Sequence, residues 1–209
     1  MAGNIKQSNL APLKIAQLES DIKSGKIDTV IVGMTDMQGR LQGKRIHAPF
    51  FLKDTMHHGT EGCNYLLAVD VDMNTVSGYA MSSWDSGYGD MVMAPDYDTL
   101  RYIPWLPGTA MVLADLLKTD HTDVYASPRQ ILKKQINKLK EHKLVPYVGT
   151  ELEFIVFKDS YEEAFNKGYK DLIPGNQYNV DYSLLGTTRV EGLLRAIRLG
   201  MDGAGLEVE

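Results

Sequence analysis

The stretch Val148-Gly149-Thr150-Glu151-Leu152-Glu153-Phe154-Ile155-Val156-Phe157 constrains the fold of this chain more than any other. Read as a strand, it puts Glu151 and Glu153 on one face with Ile155 and Phe157, and Leu152, Phe154 and Val156 on the other. At about 3.3 Å per residue the two carboxylates stand roughly 7 Å apart at the mouth of an apolar strand. Burying such a pair uncompensated is costly, so either a cation holds them or the strand lies at a solvated edge. An isolated pair of this kind more often marks a solvated edge, because carboxylates are mostly exposed. Both readings stay open on these residues alone.

Composition narrows the function classes. With 209 residues, 44% of them hydrophobic, the chain is long enough for one large or two small domains with real cores. The net charge of -5 and the absence of any basic run beyond pairs such as Lys44-Arg45 and Lys133-Lys134 argue against a nucleic-acid partner. A single cysteine, Cys63, excludes an intrachain disulfide and a cysteine-based zinc site, which fits a reducing cytoplasm. No stretch approaches the roughly 20 apolar residues of a membrane span, and the N-terminus has no hydrophobic signal region, so no membrane partner and a cytoplasmic location are expected.

In chain order, residues 1–12 read as a mobile lead-in. Leu13, Ala16, Leu18 and Ile22 recur at helical spacing, and Gly25 sits where a cap belongs. Ile27 to Met34 reads as a buried strand that Asp36-Met37-Gln38-Gly39 turns back into a second strand, Arg40 to His47. A short helical or irregular piece reaches His57-His58, whose adjacent positions point apart and argue against joint metal ligation. Asn64 to Val71 reads as a strand ending in an acidic tip where Asp70 and Asp72 share a face. Asp90 to Asp96 reads as a short strand stopped by Pro95, and Gly108 to Leu117 as another. The long aromatic loop Gly78 to Gly89 is of a kind that often carries function. Strands around one helix over about 120 residues indicate an α+β domain.

After residue 122 the periodicity changes. Ser127-Pro128 opens a helix through His142, a second helix is expected from about Thr188 to Asp202, and Leu206-Glu207-Val208-Glu209 repeats the acidic strand pattern.

The ordered set Met34-Thr35-Asp36-Met37-Gln38-Gly39-Arg40, Gly89-Asp90-Met91-Val92-Met93-Ala94-Pro95-Asp96, Ser127-Pro128-Arg129 and Glu151-Leu152-Glu153-Phe154 resembles the N-terminal half of the glutamine synthetase superfamily. The likeness is nearer the members that glutamylate amines or polyamines. It implies a β-grasp domain over residues 13–122, followed at 123–209 by the first, incomplete part of an α/β catalytic domain. By the same resemblance, Glu151 and Glu153 match carboxylates that ligate divalent cations, Mg²⁺ or Mn²⁺. Glu209 matches a glutamate that contacts ATP, and Tyr178 a tyrosine lining the ammonium or amine pocket. Asp72 is the candidate acidic residue that attracts the amine across a subunit boundary, with Asp70 and Asp85 as alternatives. The implied activity is an ATP-dependent ligase that joins glutamate to ammonia or an amine through an acyl phosphate, in a homo-oligomeric ring. The family's other metal ligands and its ATP- and glutamate-binding arginines lie beyond a position like Glu209, so these residues alone are expected to be inactive. A non-catalytic metal-binding or assembly module with the same fold is the alternative.

Overall fold

A computed structural model of the chain describes residues 13–82 and 87–208. They group into two compact units, one running to Pro146 with Gly203–Gly205 added, the other comprising Tyr147–Asp202 and the residues from Leu206 on.

The first unit is built on a mixed five-stranded sheet in the order β2-β1-β5-β4-β3, from β1 (Thr29–Thr35), β2 (Leu41–His47), β3 (Thr60–Cys63), β4 (Asp90–Tyr102) and β5 (Thr109–Leu117). The expected hairpin is present, with β1 antiparallel to β2 from Thr29↔His47 to Thr35↔Leu41. The central pair, β1 and β5, runs parallel from Thr29↔Thr109 to Gly33↔Leu113. Period-two alternation explains the core: Val30, Val32 and Met34 of β1 and Ala110, Val112, Ala114 and Leu116 of β5 are buried on one face. Over that face lie Leu18 and Ile22 of α1 (Ile15–Lys23), which ends where Gly25 adopts a φ of 76°. Gly43 sits opposite Gly33 with a φ of 150°, and a Cβ there would lie 2.0 Å from the Val32 carbonyl oxygen. Only glycine fits that close approach.

Between β2 and β3 the chain coils through α2 (Ala48–Phe50), a π-helical turn (Phe51–Thr55) and α3 (Met56–His58), with Phe51 and Thr55 buried. Two strand expectations are corrected here. Asn64 to Val71 is not a strand but opens as a 3₁₀ turn, Asn64–Leu67; the strand is the preceding β3, which pairs with β4. A short apolar run satisfies either arrangement, and Asn64 decides it by donating from its backbone to Gly89 O and from its side chain to Met81 O. Nor does Pro95 stop β4. The strand runs on to Tyr102, thirteen residues in all, by bulging between Asp96 and Arg101, where the Thr99 hydroxyl accepts the Leu113 N–H at 2.8 Å in place of a ladder carbonyl.

Helix α4 (Pro128–Glu141) begins at Ser127 as expected, although the Ser127 side chain makes no capping bond. Arg129 and Lys133 instead tie α4 to the sheet through Asp96 of β4 and Asp115 of β5, with Arg129 Nε 2.8 Å from Asp115 and Lys133 Nζ 3.3 Å from Asp96. Arg129 also pairs with Asp96 and Lys133 with Asp115.

The second unit contains α5 (Tyr161–Asn166), α6 (Leu184–Thr188) and α7 (Glu191–Gly203), which starts three residues later than expected. Ser160 and Glu163 form a reciprocal capping box on α5, a short helix that apolar periodicity alone misses. Val148 to Phe157 is not a strand of any sheet. Its only bridge among the described residues is Phe157↔Pro174, and Leu152 and Ile155 are 88% and 73% exposed. A strand exists through its partners, and the described residues give this stretch no ladder beyond the bond from Gly175 N–H to Val156 O at 2.7 Å. Leu206 to Val208 is likewise no strand, and the Leu206 N–H turns back to Met201 O at 3.0 Å.

Candidate functional site

Two turns of the first unit hold each other. At the tip of the β1–β2 hairpin the Asp36 side chain is fully buried, and its Oδ1 accepts the backbone N–H of Gln38 at 3.0 Å and of Arg40 at 2.8 Å. Oδ2 accepts Arg40 Nε at 2.7 Å and Gln42 Nε2 at 3.3 Å. Burial opposes the charged form, but the Arg40 guanidinium and the backbone donors outweigh it and hold the carboxyl below the usual carboxylate range. Fixed in this way, Arg40 donates from Nη1 to Val71 O at 2.6 Å and from Nη2 to Asp70 O at 3.3 Å, while Gln38 Nε2 donates to Val69 O at 2.9 Å.

Those carbonyls belong to the second turn, which carries the acidic tip. Asp70 folds the loop around itself: Oδ1 accepts the N–H groups of Asp72 and Asn74, both at 2.9 Å, and Oδ2 accepts Asn74 Nδ2 at 3.1 Å. The Asn74 side chain first, then these backbone donors, keep the Asp70 carboxyl below the usual range. Met73 closes the turn at a φ of 66° with its N–H on Asp70 O at 3.2 Å. Asp72 is exposed at the tip, and its carboxylate accepts no hydrogen bond from the described residues. Asp70 is thus a structural acceptor, and Asp72 the free anion of the pair. Asp85 and Glu209 lie outside the described residues.

In the second unit Glu151 and Glu153 stand exposed on the extended 148–156 segment, and Tyr178 is 54% exposed. Among the described residues no three His, Cys, Asp or Glu side chains gather as a metal-holding group. The two glutamates supply hard oxygen donors of the kind Mg²⁺ or Mn²⁺ takes, but two carboxylates are fewer than the six ligands either ion prefers. His57 and His58 present rings 6.4 Å apart at 70° to each other. They border an open cleft with Lys44, Asp54, Glu61 and His121.

Sequence reasoning picked out Asp36, Arg40, Asp96 and Arg129 as parts of a resemblance but gave them no role. The spacing Asp36-x-x-Gly39-Arg40 is the local signal for the first pair: a turn that returns the cation onto the aspartate. Nothing local signals that Arg129 meets Asp96 and Asp115, which are 33 and 14 residues away.

Comparison with known proteins gives the chain its relatives. Residues 125–209 match the family described as glutamine synthetase, catalytic domain. A γ-glutamylethanolamide synthetase from Streptomyces coelicolor is 61% identical over 198 residues, 95% of this chain and 43% of that protein. A glutamate–isopropylamine ligase from Pseudomonas sp. is 31% identical over 94% of this chain and 43% of its own length. The solved structure of ligand-free GmaS superposes with a TM-score of 0.62 over 91% of this chain and 40% of that one, at 16% identity. The chain therefore spans somewhat under half the length of these relatives. No helix among the described residues is long and apolar enough to cross a membrane. On the family match and the identity sustained from the first unit into the second, the chain belongs to the glutamine synthetase superfamily.

Proposed function

We propose that this chain is the N-terminal portion of an ATP-dependent ligase that forms a γ-glutamyl amide from glutamate and a small primary amine, with ethanolamine the first acceptor to test. The observation that carries the reading is the 61% identity to a γ-glutamylethanolamide synthetase across 95% of the chain. In the proposed reaction the glutamate γ-carboxylate attacks the terminal phosphorus of ATP, releasing ADP and leaving an acyl phosphate. The amine, having lost its proton, then attacks the acyl carbon and expels inorganic phosphate. Asp72 attracts the ammonium form of the amine across a subunit boundary and takes up its proton, and Tyr178 lines the amine pocket. Its exposure at a turn tip, with Asp70 occupied in building that turn, supports Asp72 over Asp70 for this role. Glu151 and Glu153 supply part of the ligand set for Mg²⁺ or Mn²⁺, which neutralises charge on the transferring phosphoryl group when bound. Glu209 contacts ATP in this reading.

Residues 13–122 of the first unit form a β-grasp domain. The parallel β1–β5 pair at the sheet centre with α1 across one face supports this, as does the family match beginning at residue 125. The enzyme works in the cytoplasm as a homo-oligomeric ring with no nucleic-acid or membrane partner.

The test is to express the complete reading frame that contains these residues and follow ADP release with glutamate and ATP plus ammonia, ethanolamine or isopropylamine, identifying the amide by mass. Amide formation with at least one of the three is expected. Failure with all three overturns the ligase reading, and Mn²⁺ binding without turnover would favour the non-catalytic module.

A further inference from the structure

The loop that carries Asp72 closes on itself around Asp70. Within it, Val69 bridges Thr75, Val76 N–H donates to Ala68 O at 3.2 Å, and Asp70 caps the tip. Burial of Ala68 and Val69 seats its base, and its tip is held from the hairpin. Three donors from the β1–β2 hairpin tip, two from Arg40 and one from Gln38, fall on the consecutive carbonyls of Val69, Asp70 and Val71, immediately before Asp72. A guanidinium suits this task because its planar fork keeps one edge on Asp36 and sends two other N–H vectors to the loop. Asp36 is buried and the hairpin is anchored to the sheet centre through β1, so the fork has a rigid base.

Resting on the ligase reading above, we infer that Arg40, supported by Asp36 and Gln38, is a positioning residue that sets the enzyme's affinity for its acceptor amine by fixing the turn that presents Asp72. Arg40 need not touch the amine. Its guanidinium faces Asp36, Gln38 and the loop carbonyls, and loss of its fork releases the Asp72 carboxylate to swing with its turn. Displacement on the scale of an ångström at a charged binding group lowers productive encounter with a small cation and leaves sites elsewhere unaltered.

The test uses Arg40→Lys, which keeps a cation beside Asp36 but cannot reach both carbonyls, and Gln38→Ala, which removes only the Val69 contact. In the complete protein, Arg40→Lys is expected to raise KM for ethanolamine about tenfold while KM for glutamate and for ATP stays within about twofold of wild type. Gln38→Ala is expected to shift the amine KM the same way by less. In the complete protein, both variants are expected to speed amide exchange at Asp72 and Asn74 without doing so in β1 and β5. An amine KM unchanged in both variants, all three KM values rising together, or unchanged exchange at the turn would each overturn the inference. If wild type makes no amide the ligase reading falls and takes this inference with it. An active wild type with an indifferent Arg40→Lys variant removes this inference alone.

Discussion

Asp36 is the residue on which the first unit's electrostatics turn. Its carboxylate is buried, accepts four hydrogen bonds and faces one guanidinium. Removing one partner of a buried pair leaves the other uncompensated, so Asp36→Asn is expected to destabilise the fold by about 2–4 kcal/mol near neutral pH, read from urea midpoints. The pH dependence follows from the depressed carboxyl pKa. Stability from this group is complete above the unfolded-chain value of about 3.9 and drains away as pH falls through the lower folded value. The gap between wild type and Asp36→Asn should therefore close on acidification; a gap that persists to low pH would remove Asp36 from this role.

At the scale of elements, two contacts decide how the sheet is assembled. The Gly33–Gly43 pair lets β1 and β2 come together where a side chain would strike a carbonyl, so Gly43→Ala is expected to cost about 2 kcal/mol or more. Thermal melts would show this as a lowered midpoint, and an unchanged midpoint would mean that the hairpin relaxes freely. The other contact ties α4 to β4 and β5 through Arg129. Arg129→Ala leaves Asp96 and Asp115 sharing Lys133 alone, and a loss of about 1–2 kcal/mol is expected. Amide exchange should rise in α4 ahead of β1 and β5. Equal rises everywhere would show that the helix is held by something other than these ions.

Across the whole molecule, the described residues bring two glutamates and no third ligand of the proposed metal site into view. Titrating Mn²⁺ calorimetrically into the complete protein, with and without Glu153→Ala, tests that site: weaker binding by the variant is expected, and equal binding would dismiss Glu153 as a ligand. What the sequence determined by itself is local. Period-two burial in β1 and β5, the hairpin turn at Asp36–Gly39, the Gly25 stop of α1 and the Ser127 start of α4 all follow from neighbours within a few residues, as does the ordered set of motifs that resembles the family. What only the tertiary structure decided depends on partners far away in the chain. Asn64–Leu67 is a 3₁₀ turn because Gly89 and Met81 receive the bonds of Asn64, and β4 passes Pro95 because Thr99 takes over a ladder acceptor. The loop around Asp70 closes through its own residues, and its tip is seated by Arg40 from thirty residues away. The acidic stretch at 148–157 has the alternation of a strand and is not one here, because alternation states which face a side chain takes and only a neighbouring backbone makes a sheet.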